Sequence, residues 1–179
     1  MVIVGSEALS LGPTRAISED ELIAYIKQVK NAIPSGIPVT YGFAYSELNN
    51  PQVVAAVDVV FANIYPFYAE PNGINVDQAI ENMNGAYYQY AIPRAQGKQV
   101  IVSETGWPSC GNAKGQSVPS PENSAKYFRA FVKWAKDNNV PYFYFEAFDE
   151  SWKANDEGPR GACWGIWDKY GNLKSTFWS

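Results

Sequence analysis

The stretch that most constrains this chain is Val100-Ile101-Val102-Ser103-Glu104-Thr105-Gly106-Trp107-Pro108-Ser109. Its run of β-branched apolar residues is too short for a helix and reads as a buried parallel strand. Gly, Trp and Pro come next, so Glu104 stands at the carboxyl end of that strand, with an indole beside it and a rigid loop leading away. Carboxyl ends of parallel strands are where α/β proteins place their chemistry. Val2-Ile3-Val4-Gly5-Ser6-Glu7 repeats the design at the start of the chain. Two buried strands that each deliver a glutamate to one edge make a candidate acid/base or acid/nucleophile pair. A glutamate after a strand also serves as a solvated loop residue or a helix cap. Trp107 favours chemistry at Glu104, because a flat apolar face beside a polar group suits a sugar ring.

The remaining segments alternate strand and helix. After the first strand comes a loop with Gly12-Pro13, then a capping box, Ser18 with Glu21. The helix behind it carries Leu22, Ile23, Ile26, Val29 and Ile33 on one face and is stopped by Pro34 and Gly36. A second strand runs from Val39 to Ala44, and Asn50-Pro51 opens a short helix over 52–57. This stretch reads as scaffold, Tyr41 excepted. A third strand, Asp58 to Tyr65, ends in Asn63-Ile64-Tyr65-Pro66-Phe67. Asn75 caps a helix with Ile80, Met83, Tyr87 and Ala91 at helical spacing, aromatics that fit a core. After the Val100 strand, a Ser/Gly/Asn/Pro-rich loop over 109–119 is long enough to wall a cleft. Ser120-Pro121 starts a helix with Ala125, Phe128, Val132 and Ala135 on one face. The last strand, Tyr142 to Phe148, is almost wholly aromatic, and a loop from Asp149 to Arg160 follows. Strand and helix alternating five times mean a parallel sheet with outer helices. That pattern fits an open doubly wound sheet as well as a barrel.

At 179 residues the chain fits a single domain with a sizeable core. A net charge of −4 and the absence of any Lys/Arg run give no support to nucleic-acid binding. With no histidine, a His-dependent triad and a His-ligated metal are both excluded. No residue pattern points to a metal or organic cofactor. Aromatics at 15% suit a carbohydrate cleft and a dense core alike. Cys110 and Cys163 follow the last two strands and lack metal-binding spacing, which leaves a disulfide between loops or two buried thiols. No apolar span is long enough for a membrane. Met1 sits one residue before a buried strand, which reads as a truncated chain.

Val-Ile-Val-Ser-Glu-Thr-Gly-Trp-Pro-Ser resembles the nucleophile motif of family 17 glycoside hydrolases, the β-1,3-glucanases and related glucanosyltransferases. Residues 4–9, Val-Gly-Ser-Glu-Ala-Leu, resemble that family's Val-Gly-Asn-Glu acid/base segment, with Ser6 in place of the asparagine. Phe145 to Lys153 is similar to its last-strand segment, and Trp164-Gly165-Ile166-Trp167-Asp168 to its closing stretch. The resemblance implies a partial (β/α)₈ barrel of about five parallel strands, strands four to eight, with the first three absent. It further implies one glycoside-hydrolase-like catalytic domain over residues 1–179, truncated at its N-terminus. Glu7 becomes the general acid/base and Glu104 the nucleophile of a retaining mechanism, in which carboxyls stand about 5–5.5 Å apart.

Tyr65 matches a tyrosine near the family's nucleophile. Together with Phe67 and Trp107 it is a candidate for sugar stacking or for supporting the nucleophile. Glu150 and Lys153 match charged cleft residues by position, with a surface ion pair as the plain alternative. The implied partner is a β-glucan polysaccharide in a secreted or cell-wall setting, with neither nucleic acid nor membrane. A second chain or self-association would close the barrel. A rival expectation is a non-catalytic glucan-binding module or inactive fragment.

Overall fold

The computed structural model describes residues 1–10 and 16–177; the Gly12-Pro13 loop lies outside them. The chain divides into two compact units, Met1–Ile64 with Gly85–Ser103, and Tyr65–Asn84 with Glu104–Ser179.

A four-stranded sheet, ordered β1-β2-β3-β4, is built from β1 (Val2–Ser6), β2 (Val39–Ala44), β3 (Val60–Asn63) and β4 (Val100–Glu104). β1 pairs parallel to β2, and β2 parallel to β3. In β2 and β3 every side chain is buried except at Ala44, as expected of strands covered on both faces. β1 departs from the sequence reading. It is an edge strand, half-buried and exposed by turns, and Ile3 is 54% exposed. Its apolar run does not specify which neighbours cover it, and among the described residues β1 pairs with β2 alone.

The first unit's helices follow local chemistry. α1 (Glu19–Ala32) is opened by the Ser18–Glu21 box, with both reciprocal hydrogen bonds formed. It packs against β1, β2 and α2 (Pro51–Ala56), burying Leu22 and Ile26. Each such burial stabilises by about 2 kcal/mol. The Lys98 ammonium donates to the carbonyls of Val54, Ala55 and Val57, capping the end of α2. The helix expected after Asn75 is interrupted: α3 (Ala79–Gly85) gives way to a π-helical stretch, Ala86–Ala91, before a short α4 (Ile92–Arg94). Pro93 explains this. Its ring displaces the carbonyl four residues back and it has no N–H to give, so the backbone widens ahead of it.

The second unit is held by α5 (Pro121–Asp137), whose N-terminus is capped by the Ser120 hydroxyl. Its buried stripe runs through Ser124, Ala125, Tyr127, Phe131, Trp134 and Ala135. The expected stripe was rotated, for Phe128 and Val132 are only half-buried. Large aromatic rings won the interior face: Phe131 contacts the rings of Tyr127, Trp134, Tyr142 and Tyr144. The fifth strand, Tyr142 to Phe148, does not form a ladder. The Phe145 amide donates to Thr105, that of Glu146 to Trp164, and that of Asp149 to Trp167. This segment therefore divides its hydrogen bonds between the loop after β4 and the C-terminal tail.

Candidate active site

Glu7 belongs to the first unit. Pairing of β1 with β2 runs Val2↔Val39 and Ile3↔Thr40, then slips before Ser6↔Gly42, and such a bulge re-aims the side chains that follow it. Gly42 makes this approach possible, since a Cβ there would lie 2.6 Å from the Ser6 hydroxyl. Glu7 adopts φ +52°, a left-handed conformation uncommon for a residue with a side chain. Its amide donates to the Gly42 carbonyl at 2.8 Å and its carbonyl accepts from the Ser10 amide at 3.0 Å. The half-buried carboxylate accepts at Oε1 from the Asn63 side chain at 2.8 Å. The same Asn63 nitrogen lies 3.2 Å from the Ser6 hydroxyl, and its Oδ1 accepts from Ser103 at 2.6 Å. Asn63 is 2% exposed and stands opposite Ala44 at the end of β3. Buried polar side chains at that depth are retained when every polar atom finds a partner.

Glu104 belongs to the second unit, and its Oε2 accepts from the Tyr65 hydroxyl at 2.8 Å. The Tyr65 ring is braced edge-on by Trp164 and Phe145, centroids 5.4 Å and 6.0 Å away. Trp107 and Phe67 are fully buried and meet edge to face at 5.1 Å. The Trp107 indole donates to the Val118 carbonyl, and its own carbonyl accepts from Ser124. Neither ring has an exposed face, and both pack at the loop that leaves Glu104. Gly106 is required here, because a Cβ would lie 2.1 Å from the Phe145 carbonyl oxygen.

Glu150 and Lys153 are neighbours on a turn. The Lys153 ammonium lies 2.5 Å from Glu150 and 2.5 Å from Glu146, and 4.3 Å from the centre of the Phe145 ring. Lys153 is buried, so this is more than a surface ion pair. Burial pushes the Glu146 carboxyl up to about 7, opposed by the Lys153 hydrogen bond and charge. The Lys153 hydrogen bond holds Glu150 below the usual carboxylate range. Burial works against charge on Lys153, yet its bonds to Glu146 and Glu150 outweigh that and raise it. Cys110 and Cys163 are joined as a disulfide, with Cα atoms 5.5 Å apart. The Ser109 amide and hydroxyl both donate to the Cys163 carbonyl beside it.

Sequence reasoning missed Asn63 and Glu146 as partners of Glu7 and Lys153, and Ser103 as a donor to Asn63. The signal available for Asn63 was a polar residue closing a fully apolar strand. Glu146 interrupts an aromatic run, and a charge in such a run calls for a partner. Ser103 carries no comparable mark.

Residues 1–165 match the model of the BtgE/BtgC glycoside hydrolase domain. The chain belongs to this family. It is 36% identical over 196 residues to an Aspergillus fumigatus protein named "Probable glucan endo-1,3-beta-glucosidase btgC", covering 96% of this chain and 27% of that protein. To the glucan 1,3-beta-glucosidase BGL2 of Candida albicans it is 29% identical, covering 96% of this chain and 60% of that protein. The family 17 β-1,3-glucanosyltransferase of Rhizomucor miehei has a similar structure. The TM-score is 0.85 at 34% identity, over 97% of this chain and 61% of that one. This glycoside hydrolase domain thus spans about a quarter of the Aspergillus relative. Its fold is α/β, a part of the barrel of its structural relatives.

Proposed function

We propose that this chain carries the two catalytic carboxylates of a retaining glycosidase acting on β-1,3-glucan. Glu104 attacks the anomeric carbon, forming the glycosyl–enzyme ester as the glycosidic bond breaks, and Glu7 gives its proton to the departing oxygen. Glu7 then takes a proton from the incoming acceptor as the ester is released. The observation that carries this reading is that each glutamate closes a parallel strand and accepts from a neutral donor, Asn63 for Glu7 and Tyr65 for Glu104. The names of the family relatives support the substrate. Glu150 and Lys153 contact sugar hydroxyls, and Tyr65, Phe67 and Trp107 support the nucleophile. The disulfide supports an oxidising, secreted or cell-wall setting.

The test is reducing-sugar release from linear β-1,3-glucan by this chain and by Glu104→Gln, at matched folding. Release abolished by the substitution is the expected result, and release unaffected by it overturns the assignment. No release from either rejects activity of the chain alone. A second reading, glucanosyl transfer, is favoured by the likeness to the Rhizomucor transferase. The acceptor is then a glucan hydroxyl, and products longer than the donor distinguish it from hydrolysis.

A further inference from the structure

We propose that Glu47, together with Tyr41, is a positioning residue for the acid/base carboxyl, holding the segment after Glu7; the proposal rests on the assignment of Glu7 above. Glu47 lies on the 3₁₀ turn Tyr45–Asn49 that follows β2, and it is 4% exposed. Its carboxylate accepts from the Ala44 amide at 3.1 Å, the Tyr41 hydroxyl at 2.9 Å and the Ser10 hydroxyl at 2.7 Å. Tyr41 in turn accepts at its hydroxyl from the Leu9 amide at 3.3 Å. Tyr41 is fully buried, and burial, together with the Glu47 charge, raises its phenol far from ionisation. It therefore remains a neutral donor to Glu47.

A carboxylate that only capped its own turn would need the Ala44 contact and would sit as well in water. This one is buried, which is costly unless its oxygens are satisfied. Two of its three donors reach to, or support, residues 9 and 10, more than thirty positions earlier in the chain. Those residues complete the turn that begins at Glu7. The turn needs an outside hold, because left-handed backbone at a residue with a Cβ is strained and persists only where surroundings enforce it. Asn63 holds the Glu7 carboxylate; the Glu47–Tyr41 pair holds Leu9 and Ser10 in the turn that follows it. A displacement of about 1 Å at such a group lowers rates on the order of 100-fold.

Glu47→Gln retains the volume but replaces one acceptor oxygen with a donor, and Tyr41→Phe removes the phenol. Amide hydrogen exchange in both variants, read over residues 4–10 with α5 as internal reference, tests the hold without any need for turnover. Exchange at Leu9 and Ser10 is expected to rise by about tenfold or more while α5 is unchanged. Equal exchange in variant and parent overturns the proposal, as does a uniform rise that includes α5. Kinetics then test the consequence, comparing β-1,3-glucan with a dinitrophenyl β-glucoside whose leaving group departs without a proton. Glu47→Gln is expected to cut glucan cleavage by about tenfold or more, general acid catalysis being worth about 100-fold to 10,000-fold, and to spare the dinitrophenol burst. Equal losses on both substrates indicate a merely structural role and reject the proposal. If the parent cleaves neither substrate and Glu7→Gln changes nothing, the glycosidase reading fails, while the exchange result still decides whether Glu47 holds the turn.

Discussion

Removing the Lys153 ammonium isolates the most perturbed carboxyl in the second unit, and the cost of Lys153→Met depends on pH. In the parent, the Glu146 carboxyl ionises at about 7 when folded against a reference of 4.5. A carboxyl raised in this way contributes stability that is complete below pH 4.5 and is lost as pH rises through about 7. A shift of that size corresponds to roughly 3 kcal/mol. Lys153 limits the rise, lying 2.5 Å from the carboxylate. Without it Glu146 ionises at still higher pH, so the loss of stability continues where the parent has levelled off.

At pH 5 Glu146 is protonated in both proteins, and the variant loses little more than hydrogen bonding, about 1 kcal/mol. Above pH 7 the difference grows by up to about 1.4 kcal/mol per pH unit, limited by the ~3–5 kcal/mol of an orphaned buried charge. Glu150, 39% exposed, stays solvated and adds little. Urea unfolding followed by tryptophan fluorescence at pH 5, 7 and 8.5 measures this. A destabilisation equal at all three pH values, or largest at pH 5, would refute the reasoning.

Tyr65→Phe removes the hydrogen bond to Glu104 but keeps the ring packed on Trp164 and Phe145. A hydrogen bond to a charged group is worth about 1.5–3 kcal/mol. On glucan, kcat is expected to fall roughly 10- to 100-fold with little change in KM or unfolding midpoint; a lowered midpoint with unchanged kcat contradicts this. Asn63→Ala strands the Ser103 hydroxyl and frees the Glu7 carboxylate. Stability should drop by about 1–3 kcal/mol and glucan turnover with it, read by urea titration and sugar release. Replacing Cys110 and Cys163 with serine opens a loop spanning 53 positions. The expected loss is about 4 kcal/mol from chain entropy, and an unfolding midpoint that does not move would show that native contacts alone close that loop.

Much of the architecture was legible in local chemistry. The Ser18–Glu21 box and the Ser120 cap each bind backbone groups within a few residues, and Pro51 sets its own backbone for the first turn of α2, so short sequence windows contain the whole interaction. β2 was readable to its end residues because a strand covered on both faces is largely apolar, its buried Thr40 hydroxyl donating to the Val59 carbonyl. The placement of Glu7 and Glu104 after strands followed from the same apolar runs ending in a carboxylate.

The tertiary structure decided what depends on neighbours distant in the chain. Whether β1 is buried turns on pairing partners that its own residues do not specify, and it is an edge. Which side of α5 faces inward was set by competition among aromatic rings for interior volume, and Tyr127 and Phe131 displaced the expected Phe128 and Val132. Burial of Trp107 and Phe67 follows from the aromatic packing around them. The partners of the candidate carboxylates, Asn63 and Tyr65, come from positions 56 and 39 residues away. Hydrogen bonds across such separations leave no period or spacing in a sequence, because only the folded chain brings the atoms within reach.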